Sequence, residues 1–269
     1  FANLRLYKLK DLARTDNKNW DSTTLVKVNQ LDFFDGEWKR SNSGDAATFS
    51  AIGYTFGRLL NEKLDVPVGL IQLSVGGAPA EAFTDRKTLE FDPYMVDVLN
   101  NWKHNDFIQG WCRERAATNI ALAENKLQRH PYEPAYIYEA GMPLVQGVPV
   151  AGVIWYQGES NAHNAEHFRH AFSALVKSWR SAFNDAEMPF YFAQLSSINR
   201  PSWPYFRETQ RELALTIPNT AMVVTSDLGD SLDVHPKHKI EIGERFANLA
   251  LSRNYGMQGV PDGGPQIST

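Results

Sequence analysis

Four short apolar runs constrain the fold of this 269-residue chain more than any other feature. They are Pro67 to Leu73 (PVGLIQL), Val150 to Tyr156 (VAGVIWY), Pro189 to Leu195 (PFYFAQL) and Ala221 to Thr225 (AMVVT). Runs of that length, apolar on successive residues, read as strands buried on both faces. Between them the apolar residues recur at helical spacing. Phe168, Phe172, Leu175, Val176, Trp179 and Phe183 fall at i, i+4, i+7, i+8, i+11 and i+15, one stripe. Phe49, Ile52, Phe56, Leu59 and Leu60 form a second helical set, and Phe206 to Leu215 reads as a third helix. A last helix is expected from Lys239 to Asn254, with Ile242, Phe246, Leu249 and Ala250 inward and Tyr255-Gly256 closing it. In the middle, Trp111, Ala117, Ile120, Ala121, Glu124 and Leu127 fit one helix ending near His130-Pro131. Asn3 to Leu9 alternates as a half-buried strand does, and the polar stretch after it, with Trp20 and Trp38, reads as a loop. Buried strands alternating with amphipathic helices imply an α/β domain, a parallel sheet covered on both faces, because parallel strands need crossover helices. No repeat or linker divides residues 1–269, so a single domain is expected.

Ligands of such sheets sit outside the C-terminal ends of the strands. The unusual residues of this chain stand there: Gly76-Gly77, Gln157 to Asn161, Ser196-Ser197 and Asp227 to His235. Composition narrows what the ligand is. With 27 Lys and Arg against 31 Asp and Glu, a net charge of −4 and no basic run, nucleic acid is not expected as the main partner. The longest apolar candidate, Leu144 to Tyr156, is broken by Gln146, two glycines and Pro149, and falls short of the roughly 18 residues a membrane span needs. The lone Cys112 excludes an intramolecular disulfide and a Cys-based zinc site, and suits the cytosol or a secreted protein alike. The chain opens on Phe1 with no visible signal peptide, and the stretch from Gly259 to Thr269 is rich in Gly and Pro with no closing element. Both ends therefore read as cut.

Three constellations could carry chemistry. Asp233-Val234-His235-Pro236 stands in a loop between a strand and the last helix. An imidazole can act as a general base near neutral pH, and a carboxylate two residues away can hold one ring nitrogen and stabilise the imidazolium. Capping of backbone amides at the helix entry is the alternative reading of the same residues. Gln157-Gly158-Glu159-Ser160-Asn161 comes directly after a strand. Its amide side chains can donate to an oxyanion, and Gly158 to Ala162 imitates the G-x-S-x-G nucleophile elbow with Ala in the last position. A polar turn with Asn161 as N-cap is the alternative. Gly76-Gly77-Ala78-Pro79 suits a turn whose backbone N–H faces a ligand, but lacks the length and the Lys of a phosphate loop, and a plain turn stays open. A fourth set is weaker. His163, Glu166, His167 and His170 have ligand-like spacing, but Glu166 directly precedes His167, which is not the H-E-x-x-H order. That stripe is offset from the apolar face and is expected to face solvent, so no metal is expected.

Taken together, these segments resemble the sialate O-acetylesterase branch of the SGNH hydrolases. The run Gly152 to Asn161 (GVIWYQGESN) looks like that family's motif almost letter for letter. Supporting it are Phe49 to Tyr54 (FSAIGY), Gly69 to Glu81 (GLIQLSVGGAPAE), Trp179-Arg180, Pro189 to Leu195, and Asp227 to Asp230 followed by Asp233 to Pro236. The resemblance covers nearly the whole chain and implies a three-layer αβα, flavodoxin-like sheet. It implies an O-deacetylase acting on acetylated sugars, with no metal or organic cofactor, and a secreted, periplasmic or lumenal location. It implies His235 as the catalytic base and Asp233 as its orienting carboxylate, with Asp230 the lesser alternative. Gly76 or Gly77 and the side chain of Gln157 would contribute to the oxyanion site. Asn161 would shape the pocket, and Glu159 and Ser160 would support it.

One departure matters. The family's nucleophile is a Ser in a GQSNM-type motif at the end of its first strand, and no such motif occurs here. Phe1 to Leu9 matches the segment after that motif, so the nucleophile strand is expected upstream of Phe1, in the same protein. Two rival readings are a catalytically silent sugar-binding homologue and an elbow enzyme using Ser160. A 12% aromatic content with 7 Trp suits sugar stacking under any of them.

Overall fold

A computed structural model describes residues 3–264; the last part of the Gly- and Pro-rich tail lies outside the described residues. The chain begins with Leu4–Lys8 (β1) and Lys10–Asp11 (β2), then Ser22–Asn29 (α1), Phe34–Asp35 (β3), Trp38–Arg40 (β4), Ser43–Thr48 (α2), Ala51–Leu64 (α3) and Val68–Gln72 (β5). Arg86–Phe91 (α4), Gly110–Asn119 (α5) and Tyr136–Gly141 (α6) come next. The second half runs Val153–Trp155 (β6), Ala165–Ala182 (α7), Phe190–Ala193 (β7), Trp203–Thr216 (α8), Thr220–Val223 (β8) and Lys239–Arg253 (α9).

The strands fall into two three-stranded sheets and a small ribbon. β1 pairs parallel with β5, from Leu4 opposite Val68 to Lys8 opposite Gln72, and antiparallel with β4. β6, β7 and β8 pair in parallel, with Val153 opposite Phe190 and Phe190 opposite Thr220. β2 and β3 form the antiparallel ribbon. The four apolar runs are thus strands, but they do not make one sheet. Among the described residues β5 and β6 each pair on one side only, and both line an apolar slot of about 600 Å³. Phe56, Phe83, Trp179 and Phe246 close it on the flanks.

β7 explains why the second sheet is apolar on both faces. Phe190 and Phe192 pack into the core built with Phe168 and Phe172 of α7 and Phe206 of α8. Tyr191 and Ala193, pointing the other way, pack with Leu60 of α3 and Ile242 and Phe246 of α9. Helices therefore cover this sheet on both sides. α9 lies against α3 at Gly243, where an added Cβ would stand 2.7 Å from Ile52 O and from Thr55 Cβ.

Two sequence expectations are corrected. The stretch containing Trp20 includes a helix, α1, whose N-terminus is capped by Asp21 accepting from the Thr24 N–H at 2.8 Å, with Leu25 and Val28 buried. The middle helix ends at Asn119, well before His130. Asn119 is spent on tertiary bonds: its Nδ2 donates to Asp16 O and Lys18 O, and its carbonyl accepts from Trp20 N–H at 2.8 Å. Beyond it the N–H groups of Ala121 and Ala123 turn to Thr118 O and Ile120 O, three residues back, so the α-helical ladder is not continued.

Candidate active site

The loop leaving β5 carries the glycine turn. Gly77 has φ of +80°, and a Cβ there would come within 2.6 Å of Tyr132 Oη and 2.7 Å of the Trp111 ring, so only glycine fits. The carbonyls of Gly76 and Gly77 are anchored inward. Gly76 O accepts from Tyr132 Oη at 2.6 Å and Thr15 Oγ1 at 2.9 Å. Gly77 O accepts from Ser160 Oγ at 2.8 Å. In a planar trans peptide the N–H points opposite to the C=O. Anchoring Gly76 O on Tyr132 therefore turns the Gly77 N–H away from the protein interior, and among the described residues it has no acceptor.

The segment leaving β6 meets this turn. Gln157 Nε2 lies 3.3 Å from Ala78 O and donates to Asn161 Oδ1 at 2.7 Å. Asn161 Oδ1 also accepts from the Ala80 N–H at 3.0 Å, and Asn161 Nδ2 donates to both oxygens of Glu81 at 3.0 Å. Gly76, Gly77, Gln157, Ser160 and Asn161, far apart in sequence, thus share one bonded cluster. Ser160 and Asn161 are buried, and the Ser160 hydroxyl is committed to the turn. Glu159 is half-buried; burial raises its carboxyl above the ordinary range, while the charges of His235 and Arg200 pull it down.

His235 and Asp233 stand in the loop between β8 and α9. Asp233 Oδ1 accepts from the His235 backbone N–H at 2.9 Å and lies 3.0 Å from His235 Nδ1. Those two bonds hold the Asp233 carboxyl below its ordinary value. The His235 side chain is 77% exposed and makes no hydrogen bond to Gly77 or Gln157. Asp230 instead accepts from the Leu232 N–H at 2.8 Å.

Sequence reasoning gave no role to Glu81, His167 or Tyr132. Glu81 sits between Ala80 and Ala82 in an apolar stretch, and a lone charge in such a setting is the available signal. The expectation that the histidine stripe of α7 faces solvent is corrected at His167. That residue is 6% exposed and its Nε2 lies 2.8 Å from Glu81 Oε1, because the helix turns residue 167 inward beside Phe168 and Ala171. His163 meets Asp106 O and His170 stacks on Tyr94. Among the described residues no three His, Cys, Asp or Glu side chains converge as metal ligands, and no helix is long and apolar enough to cross a membrane.

Comparison with known proteins places the chain among the carbohydrate esterases. Residues 114–252, just over half of the chain, match the family described as carbohydrate esterase, sialic acid-specific acetylesterase, and the chain belongs to that family. The sialate O-acetylesterase of Mus musculus is 26% identical over 292 residues, covering 96% of this chain and 54% of that protein. The Homo sapiens sialate O-acetylesterase is 28% identical over 258 residues, covering 86% and 45%. The chain spans about half the length of the curated relatives it matches. Among solved structures, a carbohydrate acetylesterase from Xanthomonas citri superposes with a TM-score of 0.69 at 27% identity, covering 96% of this chain and 50% of that one. A protein from Arabidopsis thaliana shares the fold, with a TM-score of 0.50 at 18% identity over 81% of this chain and 77% of its own.

Proposed function

We propose that this chain forms most of the catalytic domain of a carbohydrate O-acetylesterase, a three-layer αβα domain of SGNH type. In this reading it removes acetyl groups from sugar hydroxyls by Ser-His-Asp chemistry. The observation that carries it is the outward Gly77 N–H at a turn where two strands end, with the Gln157 amide beside it: Asn161 holds one Gln157 N–H at 2.7 Å, and the other, in the longer 3.3 Å contact with Ala78 O, would turn to the oxyanion. Two donors so placed suit the oxyanion of an acyl-transfer intermediate, each worth on the order of 10²–10³ in rate.

The serine is assigned to a segment upstream of Phe1. Its support is the apolar slot lined by β5 and β6, which are both edge strands among the described residues, and whose lining extends to Val75 and Gln157. A strand parallel to both would join the two sheets into one and bring a residue at its C-terminal end to that turn.

The chemistry runs through that serine. His235 Nε2 takes the proton from the serine hydroxyl, while Asp233 holds Nδ1 and stabilises the imidazolium. The serine oxygen bonds to the acetyl carbonyl carbon, and the carbonyl oxygen becomes an oxyanion facing Gly77 and Gln157. The C–O bond to the sugar breaks as His235 returns the proton to the sugar oxygen. Water, deprotonated by His235, then bonds to the acetyl carbon; the bond from that carbon to the serine oxygen breaks as His235 returns the proton to the serine, and acetate leaves. In the full-length protein, His235→Ala is expected to lower kcat on an aryl acetate by on the order of 10⁴ or more. A variant keeping most of its activity removes His235 from this role.

A further inference from the structure

A carboxylate taken out of water is costly unless its oxygens are satisfied. Glu81 is fully buried, in the short turn Ala80–Phe83 just beyond the glycine turn. Asn161 Nδ2 donates to both of its oxygens at 3.0 Å, and His167 Nε2 lies 2.8 Å from Oε1, with Phe107 stacked on that imidazole. Burial alone would raise this carboxyl. The hydrogen bond and charge of His167, with the Asn161 bonds, outweigh it and hold the group below its ordinary value.

A carboxylate can only accept, and that fixes the polarity of its neighbours. Asn161 must turn its NH2 to Glu81, so its Oδ1 faces the other way, toward the Ala80 N–H and Gln157. Because Asn161 offers oxygen, Gln157 must offer nitrogen. The two ends of a glutamine amide are nearly equal in size, and only the network chooses between them. The choice here leaves Gln157 Oε1 buried without a hydrogen-bond partner among the described residues. An orientation that orphans a buried acceptor is held from elsewhere. We propose that Glu81 is a positioning residue: through Asn161 it fixes the Gln157 amide with its N–H, not its C=O, against the turn that carries Gly77. This rests on the oxyanion role proposed for Gln157.

The test is polarity exchange in the full-length protein. Glu81→Gln puts a donor where Asn161 needs an acceptor, and kcat on an aryl acetate is expected to fall by on the order of 10², with KM changed by less than about twofold. Adding Asn161→Asp pairs every donor with an acceptor again, with the bond between 81 and 161 reversed: the introduced glutamine amide donates to the new carboxylate, which still accepts from Ala80 and Gln157. That double variant is expected within about tenfold of wild-type kcat. Unchanged kcat in Glu81→Gln, or a folded double variant as slow as Glu81→Gln, overturns the proposal. If Glu81→Gln does not fold, the double variant decides alone. Independently of any variant, the Gln157 side-chain NH2 protons are expected to exchange slowly with solvent, and exchange as fast as that of an exposed glutamine also overturns it. Gln157→Ala separates the two readings. Full activity there refutes the oxyanion role itself, whereas a large loss there with an unaffected Glu81→Gln refutes the relay alone.

Discussion

Cys112, against the glycine turn, and His130 are both chemically quiet for reasons of burial. The Cys112 Sγ sits 3.7 Å from Gly77 O, and burial pushes its thiol up to about 12. The thiolate is the reactive form, so native protein at pH 8 is expected not to react with a disulfide reagent, while denatured protein reacts fully. A fast reaction before unfolding contradicts the packing around Gly77. Ser160 makes the same point about reading a motif. Its place in Gly158-Glu159-Ser160-Asn161-Ala162 imitates an elbow nucleophile, yet the hydroxyl is buried and bonded to Gly77 O. The sequence pattern records that a strand ends in a turn. What the serine does depends on a contact 83 residues away.

At the scale of elements, the long periodic segments were legible and the short or committed ones were not. α7 and α9 carry full apolar stripes and lie close to their expected spans. α1 is eight residues long with two buried side chains, too short for periodicity to stand out, and α5 stops where Asn119 turns to the segment before α1. The same junction makes a pH prediction. His130 is fully buried, stacked on Trp20 at 4.9 Å. Its Nε2 faces Asn119 Oδ1 at 3.0 Å and its Nδ1 accepts from the Tyr132 N–H, so the neutral ring is satisfied and a second proton has no acceptor. Burial, with Lys103 nearby, lowers it from 6.5 to about 3. Between those values the unfolded chain binds a proton that the folded chain refuses. His130 therefore contributes its full share above about pH 6.5 and loses it as pH falls toward 3. About 2 kcal/mol is expected to go between pH 7 and pH 5. Urea titrations at the two pH values measure it, and a folded His130→Gln variant is expected to show a shallower slope. An equal slope contradicts the assignment.

For the whole molecule, alternating runs announced an α/β fold, and the sequence motif announced the family. They did not announce that the parallel strands would stand as two sheets. Pairing is a property of neighbours in space, and β5 and β6 face each other across a slot instead of bonding. The site is divided in the same way. Local motifs supplied Gly77, Gln157, Asp233 and His235, whereas Glu81, Tyr132 and Thr15 act only through bonds made after folding. If the slot takes a strand from upstream, the amides of β5 and β6 are expected to exchange about tenfold or more slowly in the full-length protein than in residues 1–269 alone. Equal exchange in both leaves the slot without its proposed occupant. The central claim, that these loops serve an acyl-transferring serine held against Gly77 and Gln157, is tested most directly by labelling the native full-length protein with a fluorophosphonate and mapping the modified peptide. A single labelled serine upstream of Phe1 is expected, with labelling abolished by His235→Ala. Label on Ser160, or no label on folded protein, would contradict it.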